Sequence, residues 1–362
     1  MLYALQTLPG LATYAWREAE TALAHNEDNS GPKFVGVKAI PGRNDIVLFD
    51  HRGGPKRLLS LRASEDVFVV AARGYRIAPD ERGLRQIYAA MRHSEHTVPA
   101  LDIWRRASGK RLQGGTFRVI SRIVGQQKFL RRDVGRAVAD AVRDGWPGNW
   151  RLVEEDADVE IWATLVEQEL ICTLRLSDAS MRQRDKVRHL PASLRPSLAA
   201  VMVALTEPER HDVFVDPMAG AGTILLERAA AGPFDEIHGG DLSGEAVAAM
   251  QENVRGVKGR IITSRWDARK LPFEDGSVDK VAVNLPFGKQ VGDEAKLPEL
   301  YREVIGEIAR IMRPGGRFVA LVGDSRTLEN ARAATGRSLR PGPRHRVFVL
   351  GQGAMICEYT RL

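Results

Sequence analysis

An α/β fold is predicted for most of this 362-residue chain, on three observations. Short apolar runs alternate with amphipathic helical stretches through the C-terminal half. A Gly-rich turn, Asp216-Pro217-Met218-Ala219-Gly220-Ala221-Gly222-Thr223, follows the first of these runs. A second turn, Asn284-Leu285-Pro286-Phe287-Gly288, follows the fourth. Repeated β-α units imply a doubly wound parallel sheet. The N-terminal half reads instead as compact α+β modules, and the length suits two or three domains at about 150 residues each.

The elements follow in order. Residues 3–8 alternate as a short strand, Pro9-Gly10 breaks it, and residues 11–25 read as a helix. A polar, turn-rich stretch over 25–32 precedes strands at 35–37 and 45–49, separated by Pro41-Gly42. Together these form a small module over about the first 60 residues. Residues 117–124 alternate as a half-buried strand. Val134, Val138 and Val142 then recur every four residues beside Ala137 and Ala141, which is one apolar helical face. Residues 159–166 and 170–176 pair as a hairpin across Glu167-Gln168-Glu169. A charged connector over 177–190 leads to an apolar helix over 197–206. Strands are then expected at 213–216, 237–241, 260–264, 278–284 and 318–323. A helix over 297–312 should stop at Pro314-Gly315-Gly316, and Ser243 should cap the helix after the second strand. Runs at 347–350 and 355–359 close the chain as a strand pair, giving the sheet an antiparallel edge strand.

Composition narrows the partners. Apolar residues make up 44% of the chain, ordinary for a globular protein. The net charge is +7 and the pI is near 9.5. That balance favours a polyanion, with plain solubility as the alternative. Cys172 and Cys357 fall in alternating apolar runs and read as buried free thiols. No close ligand spacing appears among the cysteines and histidines, so no metal is expected. There is no basic-then-apolar leader and no run of ~20 apolar residues, so no membrane role is expected and a cytoplasmic setting is the default.

The two turns carry the chemistry. Glycine at 220 and 222 lets a ligand approach the backbone, and the next helix offers free N–H groups. A dinucleotide fingerprint would need glycine again at 225, where Leu225 stands. Asp216 suits a cofactor with an ammonium and a carboxylate instead of a pyrophosphate. Asp241, about 20 residues on, can accept from ribose hydroxyls, and Asp267 from an adenine amino group. Taken singly, each aspartate reads as a cap or turn residue; in register after successive strands, the set points to S-adenosylmethionine. Asn284 supplies a side-chain acceptor, Leu285 a carbonyl acceptor, and Phe287 a ring to stack on a base. Two acceptors can hold both hydrogens of a planar amino group and aim its lone pair at a methyl donor. Neither a metal nor a strong base is required, because alignment of this kind contributes ~7–11 kcal/mol. Three basic clusters could meet phosphates or simply face solvent. They are Lys128, Arg131, Arg132 and Arg136; Arg182, Arg184, Lys186 and Arg188; and Arg340, Arg344, His345 and Arg346.

With these motifs the chain resembles the THUMP-domain RNA methyltransferases, in the tRNA guanine-N2 branch that modifies position 6 of the acceptor stem. The resemblance implies an N-terminal ferredoxin-like module over 1–60, a THUMP RNA-binding domain over 61–177 and a linker over 178–196. From 197 to 362 it implies a Rossmann-like class I methyltransferase domain. It places Asn284, Leu285, Pro286 and Phe287 at the catalytic centre. It implies cofactor contacts from Ala192, Ser193 and Leu194, which fold over the methionine part. Further contacts come from Asp216, Met218, Ala219, Gly220, Ala221, Gly222 and Thr223, and from Asp241, Leu242, Ser243, Asp267, Ala268 and Asn284. It implies a grip on the tRNA 3′ end and acceptor stem, and a monomer is expected. Leu285 stands where a proline is more common and Phe287 where a tyrosine is; one carbonyl and one ring survive both changes. Lys289-Gln290-Val291-Gly292 after the turn resembles the position 6 enzymes. Methylation at another tRNA position or in rRNA, and a non-catalytic RNA-binding role, are the competing readings.

Overall fold

A computed structural model describes residues 1–24, 31–40, 42–110, 114–184, 186–191, 193–287, 294–336, 338–349 and 351–362. Most of the turn-rich stretch over 25–32, with Pro41, Asp185 and Leu350, lies outside the described residues. The chain divides into two compact units, Met1–Met181 and Arg182–Leu362.

The first unit is built on one eight-stranded sheet. Its early strands are β1 (Leu2–Thr7), β2 (Lys33–Lys38), β3 (Asp45–Asp50) and β4 (Asp66–Gly74), with helix α1 (Ala12–Leu23) after β1. Helices α2 (Glu81–Arg92) and α3 (Thr97–Ser108) precede β5 (Gly114–Val124). Then come α4 (Arg131–Gly145), β6 (Asn149–Leu152), β7 (Val159–Val166) and β8 (Glu169–Arg175). The strand order is β2-β3-β1-β4-β8-β7-β5-β6. Sequence reasoning did not single out β4, yet its run from Val67 to Ala72 is fully buried and joins β1 to β8 through antiparallel ladders on both sides. The expected hairpin is β7–β8, with Glu167 at φ +51 in the turn. On α4, Val134, Val138, Ala141 and Val142 are buried, as the four-residue spacing requires.

A short helix, α5 (Ser180–Gln183), precedes the second unit's framework. That framework is α6 (Pro196–Leu205), β9 (Val213–Asp216), α7 (Thr223–Ala230), β10 (Glu236–Asp241), α8 (Gly244–Val254), β11 (Ile261–Arg265) and β12 (Val278–Asn284). It continues with α9 (Leu297–Ile311), β13 (Met312–Val322), α10 (Ser325–Ala333), β14 (Leu339–Val349) and β15 (Gln352–Arg361). The strand order is β11-β10-β9-β12-β13-β15-β14. The strands from β11 to β13 are parallel, which the run of β-α units predicts. Buried strands of this kind read as continuous apolar runs, and in β12 Val278, Val281, Ala282 and Val283 are all enclosed. Ser243 caps α8, its Oγ accepting from Ala246 N at 3.3 Å.

Two expectations change. The antiparallel strand is not at the edge: β15 runs between β13 and β14, antiparallel to both. The closing hairpin folds back into the sheet because Ala354, Ile356, Cys357 and Tyr359 are apolar and buried. Pro314-Gly315-Gly316 is a bulge within β13, where the register steps from Val278/Met312 to Lys280/Arg317. Cys172 and Cys357 are buried and free, and burial pushes the Cys172 thiol up to about 12. Among the described residues no helix is long and apolar enough to cross a membrane.

One buried ion pair locks the start of this sheet. Arg228 on α7 is fully enclosed, and its guanidinium donates to Asp212 Oδ2 at 3.1 Å. It also donates to the carbonyls of Glu209, Gly232 and Pro233 at 2.7, 3.2 and 3.2 Å. These groups flank β9 and the turn into β10. Removing one partner of such a pair strands the other in a dry interior, at a cost of about 3–5 kcal/mol. Arg228→Met is therefore expected to lower unfolding stability by about that amount, read as a fall in the urea midpoint at constant slope. A variant as stable as the parent would remove this pair from the framework.

Candidate active site

The order of the second sheet reverses at β9, which has β10 on one side and β12 on the other. Open α/β sheets bind ligands at such a point, beyond the carboxyl ends of the strands. A cavity of about 540 Å³ is found there, within the usual range for small-molecule sites. The turn after β9 contributes Asp216, Met218, Ala219, Gly220, Ala221 and Thr223 to its wall; the end of β10 contributes Asp241, Leu242 and Ser243. Asn284, Leu285, Pro286 and Phe287 come from the end of β12, and Ser193 and Leu194 from the segment before α6. Gly222, Asp267 and Ala268 are not in the wall, and Ala192 lies outside the described residues, as do residues 288–292.

Backbone N–H groups of the Gly-rich turn tie it to the end of β10. Ala219 N donates to Gly240 O at 2.9 Å, and Gly220 N to Asp241 Oδ2 at 3.0 Å. Gly222 starts α7 at φ +79, a conformation that favours glycine. Trp266 braces the same turn, its indole N–H donating to Pro217 O at 3.0 Å. A Cβ on Gly240 would lie 2.1 Å from that indole, so only glycine lets the ring press on the strand. Asp267 instead pairs with Arg269, at 2.6 Å, in an exposed turn.

Three polar side chains in the wall differ in how their atoms are met. Asp216 is 1% exposed, takes one hydrogen bond from Met218 N at 3.2 Å, and pairs with no cation among the described residues. Burial pushes its carboxyl well above the usual range, and the nearby Asp241 carboxylate adds to the rise. Asp241 accepts from Gly220 N and, at 2.9 Å, from Ser243 N, so both its oxygens are engaged by backbone. Asn284 Oδ1 is buried without a hydrogen-bond partner. The next residues are fixed around it. Leu285 N donates to Leu321 O at 3.0 Å, and the Tyr301 hydroxyl donates to Pro286 O at 2.8 Å. The Phe287 ring lies against Gly323, where a Cβ would stand 3.1 Å from it.

The basic residues separate into two sets. Lys128, Arg131, Arg132 and Arg136 are exposed on and just before α4. The connector cations are less exposed. Arg182 is half-buried on α5, and Arg184 lies 3.9 Å from the buried Glu227. Lys186 is 8% exposed, and its Nζ donates to Thr223 Oγ1 at 2.8 Å and Ser193 Oγ at 3.2 Å. Arg188 pairs with Glu252 at 3.2 Å, while its backbone is bracketed by the Asn253 amide at 2.8 Å on both sides. In the third cluster, Arg344 pairs with Glu329 at 2.7 Å and His345 meets Glu358 at 2.7 Å. Among the described residues no group of acidic, histidine or cysteine side chains could hold a metal.

Sequence reasoning missed Tyr301, which sets the Pro286 carbonyl, and Val349 and Gln352, which bring the β14–β15 turn to the cavity. Tyr301 shares the buried apolar stripe of α9 with Val304, Ile305 and Ile308, a spacing that by itself indicates only a core position.

Family models match two stretches of the chain. Residues 103–174 match the THUMP domain. Residues 183–349 match a domain described as RMKL-like, methyltransferase. The tRNA (guanine(6)-N(2))-methyltransferase THUMP3 of Bos taurus is 29% identical over 239 residues, covering 62% of this chain and 47% of its own. A tRNA (guanine(6)-N2)-methyltransferase of Thermus thermophilus is 29% identical over 209 residues, covering 57% and 62%. The chain thus spans about half to three fifths of the length of these relatives. The crystal structure of TrmN from Thermus thermophilus superposes with a TM-score of 0.78 over 100% of this chain and 99% of that one, at 23% identity, which establishes the shared fold. The chain thus carries a stretch that matches a THUMP domain, followed by one that matches an RMKL-like methyltransferase domain, on an α/β fold shared with TrmN.

Proposed function

We propose that the protein methylates the exocyclic N2 of a guanosine in tRNA, at position 6 of the acceptor stem, with S-adenosylmethionine as donor and N2-methylguanosine as product. The single observation that carries this reading is the buried, unpartnered Asn284 Oδ1 in the cavity wall. An unmet buried acceptor costs about 1–3 kcal/mol, and a donor brought by the substrate relieves it. A planar amino group offers two hydrogens, one for Asn284 Oδ1 and one for the Leu285 carbonyl. The Tyr301 hydroxyl already occupies the Pro286 carbonyl, which leaves the preceding one as the second acceptor. Phe287, backed by Gly323, offers a face for the base. Guanosine and tRNA, as against another base or RNA, are supported by the names of the relatives.

The chain's residues also fit the cofactor. S-adenosylmethionine supplies an electrophilic methyl group on a sulfonium centre. Asp216 is a dry carboxylate in need of a cation and suits an α-ammonium group. Asp241 stands at the end of β10, where an acidic side chain meets ribose hydroxyls. Leu242, 61% exposed at the cavity rim, offers an apolar cover for an adenine ring. Ser193 and Leu194 close the methionine end. We assign residues 1–60 to a ferredoxin-like module, 61–177 to the THUMP domain, 178–196 to a linker and 197–362 to the catalytic domain. The exposed Lys128, Arg131, Arg132 and Arg136 are the phosphate contacts we expect on the THUMP side, in a cytoplasmic enzyme acting as a monomer.

Asn284→Ala removes one acceptor and leaves the fold intact. Methyl transfer to tRNA is expected to slow by about 10²–10³-fold, as on loss of one preorganised group, with RNA binding little changed. Single-turnover assays with nucleoside mass spectrometry read both rate and product; an undiminished rate, or a product other than N2-methylguanosine, refutes the assignment.

Asp216 sets the second expectation. Only its ionised form attracts an ammonium group, and burial has raised its carboxyl. Cofactor affinity should hold at pH above that raised range and fall as pH drops through it. Asp216→Asn should lower the affinity and flatten the profile, both measured by calorimetric titration across pH. A profile unchanged by the substitution would exclude Asp216 as the ammonium partner.

A further inference from the structure

Lys186 is the least expected charge in the second unit. Its side chain is more than nine-tenths buried, yet it pairs with no carboxylate among the described residues. Buried ammonium groups normally have such a partner, because burial penalises the charged form. Burial lowers the Lys186 pKa accordingly. Its position compounds the cost. Thr223 is the first residue of α7, whose N-terminal end carries partial positive charge and unpaired N–H groups. Two positive features meet there, and among the described residues no carboxylate pairs with the ammonium.

The hydrogen bonds show what the charge does. An ammonium group only donates, so Lys186 Nζ occupies a lone pair on each of the Thr223 and Ser193 hydroxyl oxygens. Each hydroxyl proton is thereby released to point elsewhere. Both residues line the cavity, whereas Lys186 itself does not. The ammonium thus stands behind two hydroxyls and turns them into donors facing the ligand. A neutral tether would have sufficed to hold the connector in place, and one exists. Asn253 binds the Arg188 backbone on both sides and the Ala221 carbonyl at 2.9 Å.

We propose that Lys186 is a positioning residue for anion recognition: through Ser193 and Thr223 it makes one end of the cavity a receptor for the cofactor's α-carboxylate. The proposal rests on the S-adenosylmethionine reading above and completes it electrostatically. Asp216 is a buried carboxyl with no cation beside it, and Lys186 a buried amine with no anion beside it, among the described residues. An amino-acid head, which is a zwitterion, answers both.

The test compares two ligands that differ only at that head. S-adenosylhomocysteine carries the amino-acid group; 5′-methylthioadenosine keeps the nucleoside and thioether and lacks it. In calorimetric titration, Lys186→Met should weaken S-adenosylhomocysteine on the order of 10- to 100-fold, the effect of a charge-assisted hydrogen bond. Affinity for 5′-methylthioadenosine should stay at the parent's value. Thr223→Val, which keeps the ammonium and deletes its nearer partner, should show the same selective loss and stands in should Lys186→Met not fold. Equal weakening of both ligands in the folded variants, or of neither, overturns the proposal while leaving the cofactor assignment standing. A parent protein that binds neither ligand overturns both.

Discussion

Three neighbouring strands of the second unit each end on a polar residue: β9 on Asp216, β10 on Asp241 and β12 on Asn284. Everything else at the site depends on this. The residues that lead into these ends, Val215, Gly240 and Val283, are buried, so the polar side chain appears as each strand leaves the core. Parallel pairing then sets all three ends along one edge. Because the strand order reverses at β9, the turns leaving β9 and β12 part at that edge and open the cavity between them. Alignment of a cofactor with a base is thus a property of sheet topology before it is a property of any side chain.

Much of this was legible in the residues. The strand ends were readable because a continuous apolar run stops abruptly at Asp216 and again at Asn284. The turns were readable because Gly220, Gly222 and Pro286 restrict what the backbone can do. What escaped the sequence was pairing across distance. Nothing local says that β15 inserts between β13 and β14, because a hairpin's period of two is the same at an edge and inside a sheet. Asp267 carried the same acidic signal as Asp216, yet the arginine two residues on claims it. The connector cluster of Arg182, Arg184, Lys186 and Arg188 read as phosphate contacts or a solvated face, since the partners that fold over such cations lie far along the chain: Thr223 for Lys186, Glu252 for Arg188. Charge runs are a solvated face only when nothing folds over them.

The first unit shows the same limit from the other side. β4 is a nearly uninterrupted apolar run, and its place at the centre of the sheet follows from that composition. A module boundary drawn near residue 60 by turn residues takes no account of it. In the structure β4 hydrogen-bonds to β1 on one side and β8 on the other, so backbone pairing crosses that boundary within one compact unit. Local punctuation marks where a chain turns, and hydrogen-bonded ladders decide which segments share a sheet.

The charges of the second unit divide into closed and open sets, and the division separates stability from function. Arg228 and Asp212 are closed: the guanidinium meets a carboxylate and three carbonyls, so a buried charge costs the fold little. Asp216 and Lys186 are open. Both are buried, and neither pairs with a counter-charge among the described residues. A fold selected for stability alone would replace such groups with apolar ones of similar volume, since removing an unmet buried charge is commonly neutral or favourable. Their presence in one short arc, joined through Thr223 to the same Gly-rich turn, has a physical rationale only when a ligand brings the missing charges. The instability of the empty cavity is then the source of its affinity, because the free energy withheld from folding is released on binding a molecule that carries both signs.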